Sequence, residues 1–475
     1  MESKITILSP DSNVQAEIHC GETCLFYSLY LYERLVNQKS ELSFIHNPSY
    51  EVIAIEKDKI DQTWETEWGQ FSEVRDSCTQ CTVKLRTRGM RIDLVCRVYD
   101  DGVGFRFIIP EQKAVSGLTF DFCCEYAMKA ASSCFFPNGE AEPIGPVKLG
   151  SLEDKEYAMP ALVEVEDDLY LSLMESDLYS ATPFEAAAVK FNPDKKVLVS
   201  SSNGEVTEGG IRTPWRVVLV GPNPGNMVVS TTPLNLAAKC EFQDTSWIKP
   251  GKSVWNWRVL GYKTGDFEYG VDTESCLRFI DFASRSDIPY FLIDSDWFTK
   301  IEEGQMTVSS DLDVKRVMEY AKEKDVGVFL YYDLKKGDTL NDEEVYKLFA
   351  EYGAVGLKYG FRGNDAAFTR DAIKKTAENR LMVLFHDYPC PMTGVRRFMP
   401  NALTREFCHA QQDRRVAFTP TSFLKMALVN ALAGPMDQTN GIFGLDGVNK
   451  GVREKGPNEP ESYNSTVVSE TARTL

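Results

Sequence analysis

The hydrophobic pattern changes character once along this chain. Up to about residue 240, short runs of β-branched and aromatic residues alternate with polar ones, or cluster between turn signals. "KITILSPDSNVQAEIHC", "CLFYSLYLYERLV", "CTVKLRTRGMRIDLVCRVY" and "GVGFRFIIP" have this texture, and "GLTFDFCCEYAM", "LYLSLMES" and "RTPWRVVLVG" continue it. A period of two places apolar side chains on one face of a strand. Many such strands at short spacing predict a large β-sandwich over 1–243.

After "DTSWIKPGKSVWNWRV" (244–259), longer segments of helical period alternate with short apolar runs. "DTESCLRFIDFASRSD" precedes "IPYFLIDSDW", and "DLDVKRVMEYAKEKD" precedes "VGVFLYYDL". "NDEEVYKLFAEYG" precedes "AVGLKYGF", and "DAAFTRDAIKKTAENR" precedes "LMVLFHDY". Helix–strand alternation of this kind implies a parallel sheet. Asp311, Asn341 and Asp365 are suitable N-caps for the helices. About six units fit before the chain ends, against the eight of a closed (β/α)8 TIM-type barrel. The second domain, 244–475, is therefore expected to be a barrel that is incomplete at its C-terminal end. A doubly wound open sheet fits the same alternation.

Polar residues gather where the apolar runs stop: Asp294 and Asp296, Asp333, Lys358, and His386 with Asp387. In a β/α barrel these positions line one rim, where the strands aim their last side chains at a common bowl. No glycine-rich phosphate loop opens any of the helices, which disfavours a nucleotide fold. GxSxG and HExxH are also missing. Carboxylates at strand ends suit glycoside hydrolysis, with one acid protonating the leaving oxygen and the other activating water or attacking the sugar. They equally suit a divalent cation. Trp247, Trp255, Trp257 and Trp297 are either sugar-stacking platforms or core.

The charge balance narrows the partners. With 52 Lys+Arg against 70 Asp+Glu the chain carries a net charge of −18, which argues against a broad nucleic-acid surface. No window is apolar enough to span a membrane. The 12 cysteines are irregularly spaced. The lone Cys78-Thr-Gln-Cys81 has no second pair, and only four histidines exist, so zinc is disfavoured.

Several blocks then carry a resemblance. "SWIKPGKSVWNW", "YFLIDSDWF", "GAVGLKYGF", "LFHDYPCPMTGVRRFMPNALTRE" and "ALAGPMDQT" occur in the order seen in glycoside hydrolase family 97. The resemblance extends from the N-terminal "LSPDSNVQAEI" to the end of the chain. It implies a calcium-dependent α-glycosidase, either an α-glucosidase or an α-galactosidase. The implied fold is an N-terminal β-supersandwich, a (β/α)8 barrel and a C-terminal β domain that is absent here. It also implies an α-linked oligosaccharide substrate and a periplasmic or secreted location.

Position by position, the resemblance implies specific roles. Retaining members carry an aspartate nucleophile in a "KVDF"-like block, whereas here the block is "KYGF" and Gly360 stands in its place. This points to the inverting, α-glucosidase-like branch, with Glu351 and Asp387 activating water. Lys358 and His386 are then substrate contacts. Calcium is expected to be held by Glu175, Asp387, Glu406 and Gln412. In "TREFCHAQQDRR", Gln412 stands where the family has its general acid, and an amide has no proton to give. General-acid assistance contributes about 10²–10⁴-fold, so the alternative is a catalytically impaired carbohydrate-binding homologue. An α-galactosidase-like specificity is the other alternative.

Overall fold

The computed structural model describes residues 3–437, apart from short stretches at 46–47, 113–117, 140, 207–209, 262, 303–304, 334–341, 361, 387–391 and 407–419. The first 221 residues form two antiparallel sheets, of eight and ten strands. Their inner faces meet through aromatic contacts. Tyr27 of one sheet lies 4.7 Å from Phe105 of the other, and Phe107 meets Phe122 edge-on at 5.5 Å. Every segment expected as a strand in this half is one. The alternation works because each sheet has an apolar inner face and needs only one partner layer.

One strand, Glu51–Glu65, escaped the reading. It pairs with Glu73–Thr87 over a register of more than a dozen residues. The first of the two, "EVIAIEKDKIDQTWE", is mostly exposed. It is an edge strand, and its charges protect it from pairing with another chain.

Two short helices, Pro224–Val228 and Thr232–Leu236, lead across to the second domain. There, six strands form one parallel sheet: Ser253–Trp255, Tyr290–Ile293, Gly327–Tyr332, Gly356–Tyr359, Met382–Phe385 and Ala402–Arg405. Neighbours in the sheet are neighbours in sequence, and all pairings are parallel. Such an order winds in one direction without a switch point, which separates a curled sheet from a doubly wound one. The described strands form an arc, and a closed eight-stranded barrel is not seen among the described residues. Helices Thr273–Arg285, Val314–Glu323, Asp342–Tyr352 and Ala366–Glu378 connect the strands.

The caps differ slightly from expectation. Asp365 accepts from the Phe368 N–H at 2.8 Å, as expected. The second helix is capped by Asp313, whose carboxylate accepts from the Arg316 N–H at 3.0 Å, rather than by Asp311. The chain reads "DLD" there, and both acids satisfy the sequence rule. Asn341 lies outside the described residues.

Charged side chains close the seam between the domains. The Glu185 carboxylate accepts from the Ala366 N–H at 2.9 Å, at the start of a helix. Arg370 on that helix donates to the carbonyls of Tyr179 and Leu178. Arg397 donates to the carbonyls of Leu234, Asn235 and Ala237 at 2.7–3.2 Å.

Gly356 begins its strand with the Met382 carbonyl and the Phe329 ring pressed against the space a Cβ would fill. Gly356→Ala is therefore expected to lower stability by about 1–3 kcal/mol or more through overpacking. A urea melt followed by circular dichroism checks it.

Candidate active site

The strand ends of the parallel sheet converge on one buried lysine. Lys358, the third residue of strand Gly356–Tyr359, is fully buried. Its Nζ lies 2.9 Å from Glu406 Oε2, 3.8 Å from Asp294 Oδ2 and 3.7 Å from Asp437 Oδ2. It also sits 4.5 Å over the ring of Trp255. Each partner comes from the exit of a different strand. Asp294 follows Tyr290–Ile293, Glu406 follows Ala402–Arg405, and Trp255 closes Ser253–Trp255. Asp437 is placed by its own N–H, which donates to the Arg405 carbonyl at 2.9 Å. A lysine in mid-sheet cannot remain unpaired, since burying an isolated ammonium costs several kcal/mol. The converging carboxylates meet that demand.

The carboxylates are fixed in turn. Asp294 Oδ2 accepts from the Trp255 indole N–H at 2.6 Å, and its Oδ1 accepts from the Ser295 N–H. Its backbone N–H donates to Asn256 Oδ1. Glu406 is anchored through its own N–H to the Phe385 carbonyl, and its Oε2 lies 3.7 Å from His386 Nε2. Burial alone pulls the Lys358 pKa down. Glu406, Asp437 and Asp294 more than reverse this, so the lysine stays charged well above its ordinary value. Burial also raises the Asp437 carboxyl, with Lys358 opposing and Glu406 and Asp294 adding to the rise. The result is a fixed set of acceptors with one ammonium among them, buried at the strand ends. Such a set can bind the hydroxyls of a sugar and stabilise charge developing at its ring.

The expected site residues divide. Lys358, His386 and Glu406 come together in this cluster. Asp387 and Gln412 lie outside the described residues. Glu351 is not part of the cluster. It is exposed, in the last turn of helix Asp342–Tyr352, and so precedes the strand whose exit carries Gly360. Four strand residues rise about 13 Å, which puts it at the opposite end of the sheet. The resemblance implied a role for Glu351 by its position in the sequence, which does not say which end of the strand that position reaches.

Glu175 also points elsewhere. It is buried in the β domain, where Arg216 forms an ion pair with its Oε1 and the Ala187 N–H donates to Oε2. Arg216 is itself fully buried, and donates further to Ser202 Oγ at 2.7 Å. The two described calcium candidates, Glu175 and Glu406, thus each face a buried cation of their own. Among the described residues no group of three or more His, Cys, Asp or Glu is arranged to hold a metal ion. These two carboxylates do not fit calcium in this arrangement. Cys78 and Cys81 pack into separate core clusters, as befits two residues three apart on a strand.

Gly360 has a local reason to be glycine. The hydroxyl of Tyr331, from the adjacent strand, occupies the space that a Cβ at 360 would take. That hydroxyl donates to Asp333 Oδ2 at 3.0 Å. The sequence offers Trp255 only as an aromatic that stacks or packs, and does not join it to Lys358. Asp437 was missed, and its signal was present in "ALAGPMDQT". Trp297 is core: it is fully buried, and its N–H donates to the Tyr331 carbonyl.

Two family models match the chain in tandem: "Glycosyl-hydrolase 97 N-terminal" over residues 7–238 and "Glycoside hydrolase 97" over 254–408. The chain belongs to glycoside hydrolase family 97. A curated relative from Bacteroides thetaiotaomicron, named a retaining alpha-galactosidase, is 24% identical, covering 93% of this chain and 73% of its own length. Another, from Streptomyces bingchenggensis, is named a probable retaining alpha-galactosidase. It is 27% identical over 75% of this chain and 56% of its own length. A family 97 enzyme from Pseudoalteromonas sp. strain K8, solved in complex with panose and with acarbose, has a TM-score of 0.82. It is 21% identical, covering 93% of this chain and 75% of the other. At that identity the likeness concerns the fold.

These relatives correct one expectation. An inverting α-glucosidase was read from Gly360, yet the two curated relatives above are named a retaining and a probable retaining alpha-galactosidase. The tyrosine behind Gly360 shows that the glycine answers to local packing and is a poor reporter of mechanism.

The Lys358–Glu406 pair yields a prediction with a defined pH range. Lys358→Met leaves Glu406 buried without its cation, and is expected to cost about 3–5 kcal/mol. Because the lysine's pKa is raised in the fold, its contribution is fully present below its ordinary value of 10.5. It is lost only as pH rises through the raised value. Denaturation of both proteins from pH 7 to pH 10 should therefore give a constant difference. A difference that vanishes by pH 9 contradicts the pairing.

Proposed function

We propose that this family 97 protein hydrolyses α-glycosidic bonds with an α-galactosidase-like specificity. The observation that carries the reading is the naming of its curated relatives as retaining alpha-galactosidases, one of them matched over 93% of this chain. The Lys358 cluster supports it. Asp294, Glu406 and Asp437 offer carboxylate acceptors around one ammonium, at the strand ends where a sugar enters. Asp294 and Glu406 offer oxygens that can accept from sugar hydroxyls, with the Lys358 ammonium between them. Trp255 gives the bowl an aromatic wall.

A second reading, sugar binding with little turnover, draws on two positions. Gly360 offers no side chain, and Gln412 has no proton to donate. Under this reading the cluster still binds galactosides.

Aryl glycosides separate the readings, because their leaving groups need little protonation. The 4-nitrophenyl α-galactoside is expected to be cleaved at least about tenfold faster than the α-glucoside. Faster cleavage of the glucoside would remove the specificity assigned here. If neither is cleaved while calorimetry detects galactose binding, the second reading stands.

A carboxylate at position 360 also makes a sharp test. Gly360→Asp is expected to destabilise the fold without raising activity, because Tyr331 fills the space. Combining it with Tyr331→Ala should recover part of the lost stability, read from the thermal midpoint of each variant.

A further inference from the structure

We infer that the seam between the β domain and its linker holds a second site, one that binds an oxyanion such as phosphate, sulfate or a sugar carrying either as an ester. The site is a cavity of about 210 Å³ on the outer face of the ten-stranded sheet. In a chain of net charge −18 its lining is reversed. Five cations, Arg97, Arg106, Arg212, Lys239 and Arg397, line it against two carboxylates, Asp76 and Asp177. None of these residues belongs to the Lys358 cluster.

The two acids are already occupied. Asp177 Oδ2 accepts from Arg106 at 2.8 Å, and its Oδ1 accepts from Ser180 Oγ and the Ala238 N–H. Asp76 accepts from Tyr99 and Gln62. Among the described residues, Arg212 and Lys239 meet no carboxylate. Arg97 spends only its Nε, on Gln80 Oε1 at 2.8 Å, which leaves both terminal nitrogens. Like charges are thus held together without enough acid between them. Arg106 shows the effect, its pKa lowered to about 10 by burial first, with Arg212 and Arg97 working against Asp177.

The second observation is an orphan donor. Trp215 is 2% exposed and lines the cavity, with Arg106 4.4 Å and Arg97 5.4 Å from its ring. Its indole N–H has no acceptor among the described residues. A buried N–H without a partner costs about 1–3 kcal/mol, and such a group calls for an explanation. Guanidinium groups and an unfilled N–H lining one cavity make a donor set of the kind that takes a tetrahedral oxyanion. A water occupies about 30 Å³ in the liquid, so the cavity takes such an ion with several waters, or the ester group of a sugar.

Calorimetry on the full chain tests this, using inorganic phosphate, sulfate and galactose 6-sulfate against chloride at equal ionic strength. One anion per chain is expected. Arg97→Gln combined with Arg212→Gln should weaken binding at least about tenfold, the loss of one or more charge-assisted hydrogen bonds. Arg212→Gln alone, at an exposed position, gives a folded control with a smaller loss in the same direction. Binding should also shift the tryptophan emission of the wild type, but not that of Trp215→Phe. Tighter binding of galactose 6-sulfate than of sulfate identifies the anion as sugar-borne, and the reverse identifies a free ion. If no anion binds the wild type at millimolar concentration, or if the double variant binds equally well, the site does not exist.

Discussion

The second domain is organised around a buried ammonium. Lys358 lies in the interior of the parallel sheet, where an uncompensated charge would cost more than most single contacts can return. Its neighbours are therefore not free to vary independently. Glu406 and Asp294 must arrive from separate strand exits and Asp437 from the segment bridged to Arg405, and each is fixed by its own backbone or indole hydrogen bond. The register of the strands, the turn after Ile293 and the bridge between Arg405 and Met436 all serve one geometry. A cluster held this firmly is ready to receive a polar ligand without rearranging, which is what sugar recognition at low dielectric requires.

The β domain contains a parallel case. Arg216 and Glu175 pair in the interior between the two sheets, and the arginine also reaches Ser202 and lies over Phe122. A charged pair here gives direction to an otherwise aromatic core. It also explains why Glu175 does not face the strand ends: its partner lies inside its own domain. The domains communicate instead through Arg370, Arg397 and Glu185, whose hydrogen bonds go to backbone groups across the seam.

Much of the architecture was legible because the sequence periods are clean. The strands of the β domain and the helix–strand alternation after residue 260 follow from burial on one face or two. The polar strand Glu51–Glu65 was not legible, because a mostly exposed edge strand buries too few side chains to need a clear hydrophobic period. In the site, Lys358 and His386 were legible from their places at strand ends, whereas Glu406 was reached only through the family resemblance. Glu351 was misplaced because a spacing in sequence does not say which end of a strand it reaches. Asp437 could not be joined to Lys358 by any local rule, since 79 positions separate them in sequence and only the fold brings them to 3.7 Å.

By itself the sequence determined the two-domain order, the parallel sheet and the residue types available at its rim. It did so because periodicity and capping are local properties. The tertiary structure alone decided which carboxylates share the lysine, and that Glu175 answers to Arg216. It also decided that Gly360 makes room for a tyrosine. Those outcomes depend on which side chains meet across strands and sheets. Desolvation makes such meetings selective, because a buried charge or a displaced Cβ is tolerated only where the opposing group is already in place.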